Sequence, residues 1–249
     1  MRSILAVIFV FFYLILGSLV LGVEWIIGKF NKKHADLMTL RFVQWALRCV
    51  MWISGTKLEI KGFENVPKDE AVLYVGNHRG IFDAVTTYSL CPGLTGYIAK
   101  DSLQKVPLLS LFMKRIYCLF IDRSDIKQSL GVILQAIEYV KSGISICIFP
   151  EGTRNKDRGH PETLLPFKDG SLKIAQRTGC KIIPMAIIGT DEIFENHLPW
   201  VHKQKVTITY GTPILLGELS PEDRKHPGAY CQRVIGQMLA DELSQRTTA

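Results

Sequence analysis

The sequence predicts an α/β fold, a mostly parallel, twisted sheet with helices on both faces. Three observations point to it. Short unbroken apolar runs, among them Ala71-Val72-Leu73-Tyr74-Val75-Gly76 and Ile144-Ser145-Ile146-Cys147-Ile148-Phe149, have the make-up of strands buried on both faces of a sheet. They alternate with helical segments; the clearest has Ile126, Leu130, Ile133, Ile137 and Val140 at helical spacing up to Gly143. Charged residues follow several strands directly, at the edge where open α/β sheets bind ligands.

Ile4 to Val23 is twenty residues without a charge, about 30 Å as a helix and enough to cross a bilayer core. It is longer than the apolar part of a signal peptide, and no small-x-small site follows it. It therefore reads as a retained anchor rather than a cleaved leader. Lys29, Lys32, Lys33, Arg41 and Arg48 follow it, against Arg2 before it, a bias that puts the rest of the chain on the cytoplasmic side of the cell membrane. From Leu37 to Ile53 a second apolar stretch, with Trp45 and Trp52, has basic residues on its other side. It either lies in the membrane surface or packs on the domain. Residues 1–53 are thus expected to be a membrane anchor with an amphipathic segment, and residues 54–249 a single α/β domain with no linker dividing it.

Within that domain Lys57-Leu58-Glu59-Ile60-Lys61 alternates polar and apolar residues, as a half-exposed edge strand does. The strand at 71–76 is followed by a turn and a helix over Ala84 to Leu90, then by a strand over Thr95 to Ala99. Pro107 starts a helix through about Arg115, and Tyr117 to Ile121 is a strand. Ser124 or Asp125 caps the next helix, which leads to the strand at 144–149. A long polar stretch to Gly170, with Arg154, Lys156, Arg158 and Lys168, is of a length that usually carries function. A helix ending at Gly179, a strand from Lys181 to Ile188, a strand from Val206 to Tyr210 and a helix over Ala229 to Leu243 complete the chain. Pro184 marks an edge, a bulge or the start of its strand.

The net charge of +7 suits anionic lipid headgroups or phosphate. Its basic residues are dispersed and no nucleic-acid motif accompanies them, so nucleic acid is set aside. Six cysteines without a C-x-x-C pair or zinc-like spacing read as reduced and structural, and neither a metal nor a cofactor is expected.

The chemistry concentrates in Asn77-His78-Arg79-Gly80-Ile81-Phe82-Asp83. An offset of five residues would leave His78 and Asp83 about 140° apart on a helix, so a turn must bring them together. Gly80 permits that turn, and Asp83 can open the following helix while its carboxylate holds the imidazole. A histidine so held is a general base. The plainer alternative makes His78 a loop or cap residue and Asp83 an ordinary N-cap. Lys100, Arg123, and Glu151-Gly152-Thr153-Arg154 also follow predicted strands. Taken singly, each is as well explained as surface charge, a local ion pair or a turn residue; together they suit an acceptor that carries a hydroxyl and a phosphate.

His78-x₄-Asp83, Phe120-Ile121-Asp122-Arg123, Phe149-Pro150-Glu151-Gly152-Thr153-Arg154 and Ile182-Ile183-Pro184 resemble, in this order, the four blocks of the glycerolipid acyltransferases, over about residues 57 to 215. The resemblance implies that His78, aligned by Asp83, deprotonates the sn-2 hydroxyl of lysophosphatidic acid for attack on the thioester of acyl-CoA or acyl-carrier protein. Membrane lipids would surround the acceptor. It further implies that Glu151, Gly152, Thr153 and Arg154 bind the glycerol phosphate, with Arg123 and Lys100 adding charge and Pro184 shaping the site. Phe167, Lys168 and Gly170 resemble a further shared stretch. Ser110 and Tyr117 depart from the pattern, standing where that family usually has glycine. Another lysolipid acceptor, or a lipid-binding protein without turnover, remains an alternative. A hydrolase is disfavoured because no G-x-S-x-G or H-E-x-x-H is present.

Overall fold

The computed structural model describes residues 1–157 and 159–247; Arg158, one of the cations of the polar stretch, lies outside them. The chain runs through α1 (Arg2–Gly28), α2 (Lys32–Ser54), β1 (Lys57–Lys61), β2 (Leu73–Gly76), α3 (Ile81–Tyr88), β3 (Thr95–Lys100), α4 (Pro107–Arg115), β4 (Leu119–Ile121) and α5 (Ile126–Lys141). It continues through β5 (Ser145–Ile148), α6 (Asp169–Thr178), β6 (Ile182–Ile188), β7 (Lys205–Tyr210), α7 (Pro221–Lys225) and α8 (Pro227–Thr247).

The described strands form one sheet in the order β1-β7-β6-β2-β5-β3-β4, in which only β6 and β7 are antiparallel. Five consecutive strands, from β6 to β4, therefore end at one edge. The central β2, β5 and β6 are buried at every residue, as their apolar runs require, and β1 lies at the rim as its alternation predicts. Pro184 lies inside β6 opposite a bulge. Between the pairs Met185↔Tyr210 and Ile182↔Ile214 the neighbouring segment carries one residue more than β6, so the ladder opens where proline has no N–H to give.

Each face of the sheet has its own core. One holds Leu73, Val75, Ile146, Ile148 and Ile182 against α5, α6 and α8. The other holds Tyr74, Cys147, Ile183, Met185 and Ile208 against α2, α3 and α4, and here Leu21, Leu40 and Val43 of the first two helices join the same cluster. Helix α2 ends at Ser54, and packing runs from the first two helices to the sheet. Burial pushes the Cys91 thiol up to about 11 and the Cys118 thiol up to about 12, so both stay protonated and inert.

Helices α1 and α2 form an antiparallel hairpin, joined by the ring pairs Phe9–Trp45 and Tyr13–Phe42 and by a hydrogen bond of 2.6 Å from Thr39 to the buried Glu24. Helix α1 is long and apolar enough to cross a membrane. Both of its ends, however, rest on the rest of the fold. Ser3 Oγ accepts a 2.7 Å hydrogen bond from Val201 N–H, Gly17 stands against Phe112 of α4, and Gly28 lies beside the Arg115 guanidinium. The helix lies along the side of the domain, with Ile4, Leu5, Phe11, Phe12, Leu19 and Trp25 facing outward.

The strand expected over 71–76 starts at Leu73, the helix expected over Ala229 to Leu243 runs Pro227–Thr247, and two boundaries near the site also move. The helix after the histidine turn starts at Ile81, not Ala84, and the strand expected from Tyr117 starts at Leu119. Tyr117 has a φ of 65°, the left-handed region that the family's glycine fits. Its phenol bonds the buried Asp36 of α2, which also pairs with Lys32 and Arg115. The departure from glycine thus adds a tie between the helix hairpin and the domain. In denaturation of the full chain in detergent, Tyr117→Ala, which keeps the strain and loses the phenol, is expected to be less stable than Tyr117→Gly by about 1 kcal/mol. Equal stabilities would show that this backbone conformation carries no cost.

Candidate active site

Beyond β2 the chain is clamped before it turns. The buried Asn77 side chain gives and receives hydrogen bonds of 2.9 and 2.8 Å with the backbone of Ile187, serving as one more rung between β2 and β6. His78 follows. Its backbone N–H donates to Glu151 Oε1 at 2.7 Å and its carbonyl accepts from Asn155 N–H at 2.7 Å, so the loop after β5 holds the histidine on both sides.

The His78 Nδ1 to Asp83 Oδ2 distance is 2.7 Å. Asp83 is fully buried and sits at the third residue of α3, not at its cap. From there Oδ2 also accepts the N–H groups of Arg79 and Gly80, at 2.7 and 2.8 Å, and Oδ1 accepts the Thr190 hydroxyl. A buried carboxylate is tolerable only with such a set of donors. Gly80 is needed for space rather than for a left-handed turn. Its backbone is extended, but an added Cβ would come within 2.5 Å of the Glu195 carboxylate. The imidazole stacks on Phe149 at 4.5 Å between centroids, and its side chain is 19% exposed. Nε2 has no protein partner among the described residues.

Phe149, on which this imidazole stacks, also lines a groove of about 320 Å³. Its walls are Ile98, Ile121, Ile133, Ile148 and Phe149; Arg123, Gly152 and Lys168 give it a basic end. Gly152 has a φ of 74°, and an added Cβ there would meet the Lys168 amine. Arg123 makes no pair with Asp122, whose carboxylate instead receives the Ser124 N–H and hydroxyl. Arg154, half exposed, pairs with the buried Glu195 at 3.1 Å. Glu195 also takes the Ile81 N–H, at 2.6 Å, while its second oxygen has no partner.

The structure thus brings His78, Asp83, Arg123, Gly152 and Arg154 to one edge of the sheet. Thr153 is exposed there. Lys100 is exposed at the end of β3, opposite Ile121, and does not line the groove. Glu151 is buried in the loop after β5. Its two oxygens accept the backbone N–H groups of His78 and Leu165, at 2.7 and 3.0 Å, and burial raises its carboxyl above the usual carboxylate range. Both oxygens are thus turned toward the loops around it.

Sequence reasoning missed Thr190, Asp191 and Glu195, the three residues after β6 that hold Asp83, Arg79 and Arg154. The rule that exposed His78 and Arg123, polar residues just past a strand, also points to Thr190 and Asp191. Glu195 lies further along a loop and leaves no such signal.

A family model described as Acyltransferase matches residues 57–188. The 1-acyl-sn-glycerol-3-phosphate acyltransferase of Borreliella burgdorferi is 34% identical over 151 residues, 59% of this chain and 58% of that protein. The match therefore spans less than two thirds of that relative. The Escherichia coli protein of the same name is 28% identical over 199 residues, 78% of this chain and 79% of that one. The crystal structure of the 1-acyl-sn-glycerophosphate acyltransferase PlsC from Thermotoga maritima has the same fold, with a TM-score of 0.76 at 23% identity, covering 96% of this chain and 97% of that one. With its family model spanning more than half of the chain and containing both the histidine turn and the loop after β5, this protein belongs to the acyltransferase family.

Proposed function

We propose that this protein transfers an acyl group from a thioester, acyl-CoA or acyl-carrier protein, to the sn-2 hydroxyl of 1-acyl-glycerol 3-phosphate, forming phosphatidic acid at the cytoplasmic surface of the membrane. The supporting observation is the His78–Asp83 pair, whose Nε2 has no protein partner among the described residues and whose ring stacks on Phe149, a wall of an apolar groove that Arg123 and Lys168 also line.

With a carboxylate on Nδ1, the ring hydrogen resides there and the lone pair lies on Nε2. Nε2 takes the proton of the acceptor hydroxyl as its oxygen bonds the thioester carbonyl carbon. Collapse of the tetrahedral adduct breaks the carbon–sulfur bond, and the imidazolium returns its proton to the departing thiolate. No acyl-enzyme, metal or cofactor enters this sequence. Thiolate is a good leaving group, so one base and correct placement suffice. Arginine suits the acceptor phosphate through its planar fork, and Arg154 has part of that fork free. Arg123 and Lys168 add positive potential at the groove, whose isoleucine walls suit an acyl chain. The outward face of α1 holds the molecule in the bilayer surface, where both acceptor and product reside.

Acyl transfer from labelled donors to lysophosphatidic acid in detergent micelles tests this directly. His78→Ala is expected to lose about 10²- to 10⁴-fold in kcat, and Arg154→Ala to raise the KM for the acceptor with a smaller change in kcat. Absence of phosphatidic acid with either donor sinks the acceptor assignment, and activity surviving His78→Ala sinks the mechanism.

Glu151 enters as a positioning residue. Glu151→Gln sets an amide N–H against a backbone N–H, at His78 or at Leu165, and is expected to lower kcat on the order of tenfold while leaving the acceptor KM within about twofold. A raised KM with kcat intact would assign Glu151 to the acceptor instead.

A further inference from the structure

The loop between β6 and β7 buries most of its apolar residues and leaves two outside. Ile193 is fully buried and Phe194 and Val201 pack on the core, yet Leu198 is 64% and Trp200 53% exposed. The tip is not slack. The N–H groups of Asn196, His197, Trp200 and His202 donate to the carbonyls of Asp191, Phe194, His197 and Ile193, at 2.7 to 3.0 Å, so the two side chains are presented by a braced scaffold.

The tip adjoins the first turn of α1. Val201 N–H donates to Ser3 Oγ, one residue before the exposed Ile4 and Leu5, so the apolar face of the helix continues onto the loop. Basic residues border this junction: Arg2 and Lys203 come together over Gly55, and Lys57 N–H bonds the carbonyl of Gln204. Exposed leucine and tryptophan next to lysine and arginine, continuous with an apolar helix, suit the boundary between acyl chains and anionic headgroups.

We infer that Leu198 and Trp200 enter the lipid surface as a second point of attachment, apart from the helix hairpin. The base of the same loop carries Thr190, Asp191 and Glu195, which hold Asp83, Arg79 and Arg154. Seating the tip therefore fixes the height of the catalytic turn above the bilayer. The inference rests on the reading of α1 as held in the membrane, and its test separates the two.

The chain has four tryptophans. In the full chain, Trp25, Trp45 and Trp52 are replaced by phenylalanine to leave Trp200 alone, and in a second protein Trp45, Trp52 and Trp200 are replaced to leave Trp25. Each is bound to phosphatidylcholine–phosphatidylglycerol vesicles whose acyl chains are brominated near the headgroup. Emission of both tryptophans is expected to fall by roughly half, as for rings at the membrane interface. Quenching of Trp25 alone would overturn the inference and leave the anchor intact; quenching of neither would overturn both. In the otherwise native chain, Leu198→Ser with Trp200→Ser should lower vesicle partitioning about tenfold. Unchanged partitioning would overturn the inference, as would unquenched Trp200 in a protein whose self-association is abolished by the same pair of substitutions, which would assign the tip to a second copy of this chain.

Discussion

The Asp83 carboxylate is the constraint on which the rest of the site depends. Fully buried, it draws four donors from two parts of the chain: the imidazole and two amides of the turn after β2, and a hydroxyl from the loop after β6. Removing a buried charge's partner typically costs about 3–5 kcal/mol, so each donor is held as firmly as the carboxylate itself. The turn can close in one way only, and that way aims the free nitrogen of His78 outward. Gly80 and Asn77 serve the same end, the first by giving space to Glu195 and the second by extending the ladder between β2 and β6.

Around that fixed imidazole the charges are shared out. Arg123 and Lys168 stand at the groove; Arg154 has Glu195 as its counter-charge. Glu151, the other buried carboxylate, spends both oxygens on backbone amides. The acidic residues of this edge therefore build the frame.

Much of this was legible in the sequence. The apolar runs gave the strands of the sheet, the period from Ile126 to Val140 gave α5, and the proline at 107 gave the start of α4, because each signal is local. The five-residue offset of His78 and Asp83 required a turn, and a turn is what joins them. What remained hidden depends on distant partners. Asp83 belongs to the third position of α3, not the cap, because its donors include Thr190, 107 residues further on. Glu151 turns inward because His78 and Leu165 offer their amides, which no spacing within the motif reveals. Tyr117 tolerates a left-handed backbone because a buried aspartate in α2 receives its hydroxyl.

The way α1 lies along the domain also bears on how the chain is made. A ribosome releases α1 first, whereas its resting places at Phe112 and Val201 emerge only after about half and about four fifths of the chain. For most of synthesis this apolar helix has α2 as a partner but no sheet to lie on, and such a surface in water invites aggregation. A bilayer reached early would shelter it until the later strands arrive, which would make lipid a folding aid as well as a surface to work on.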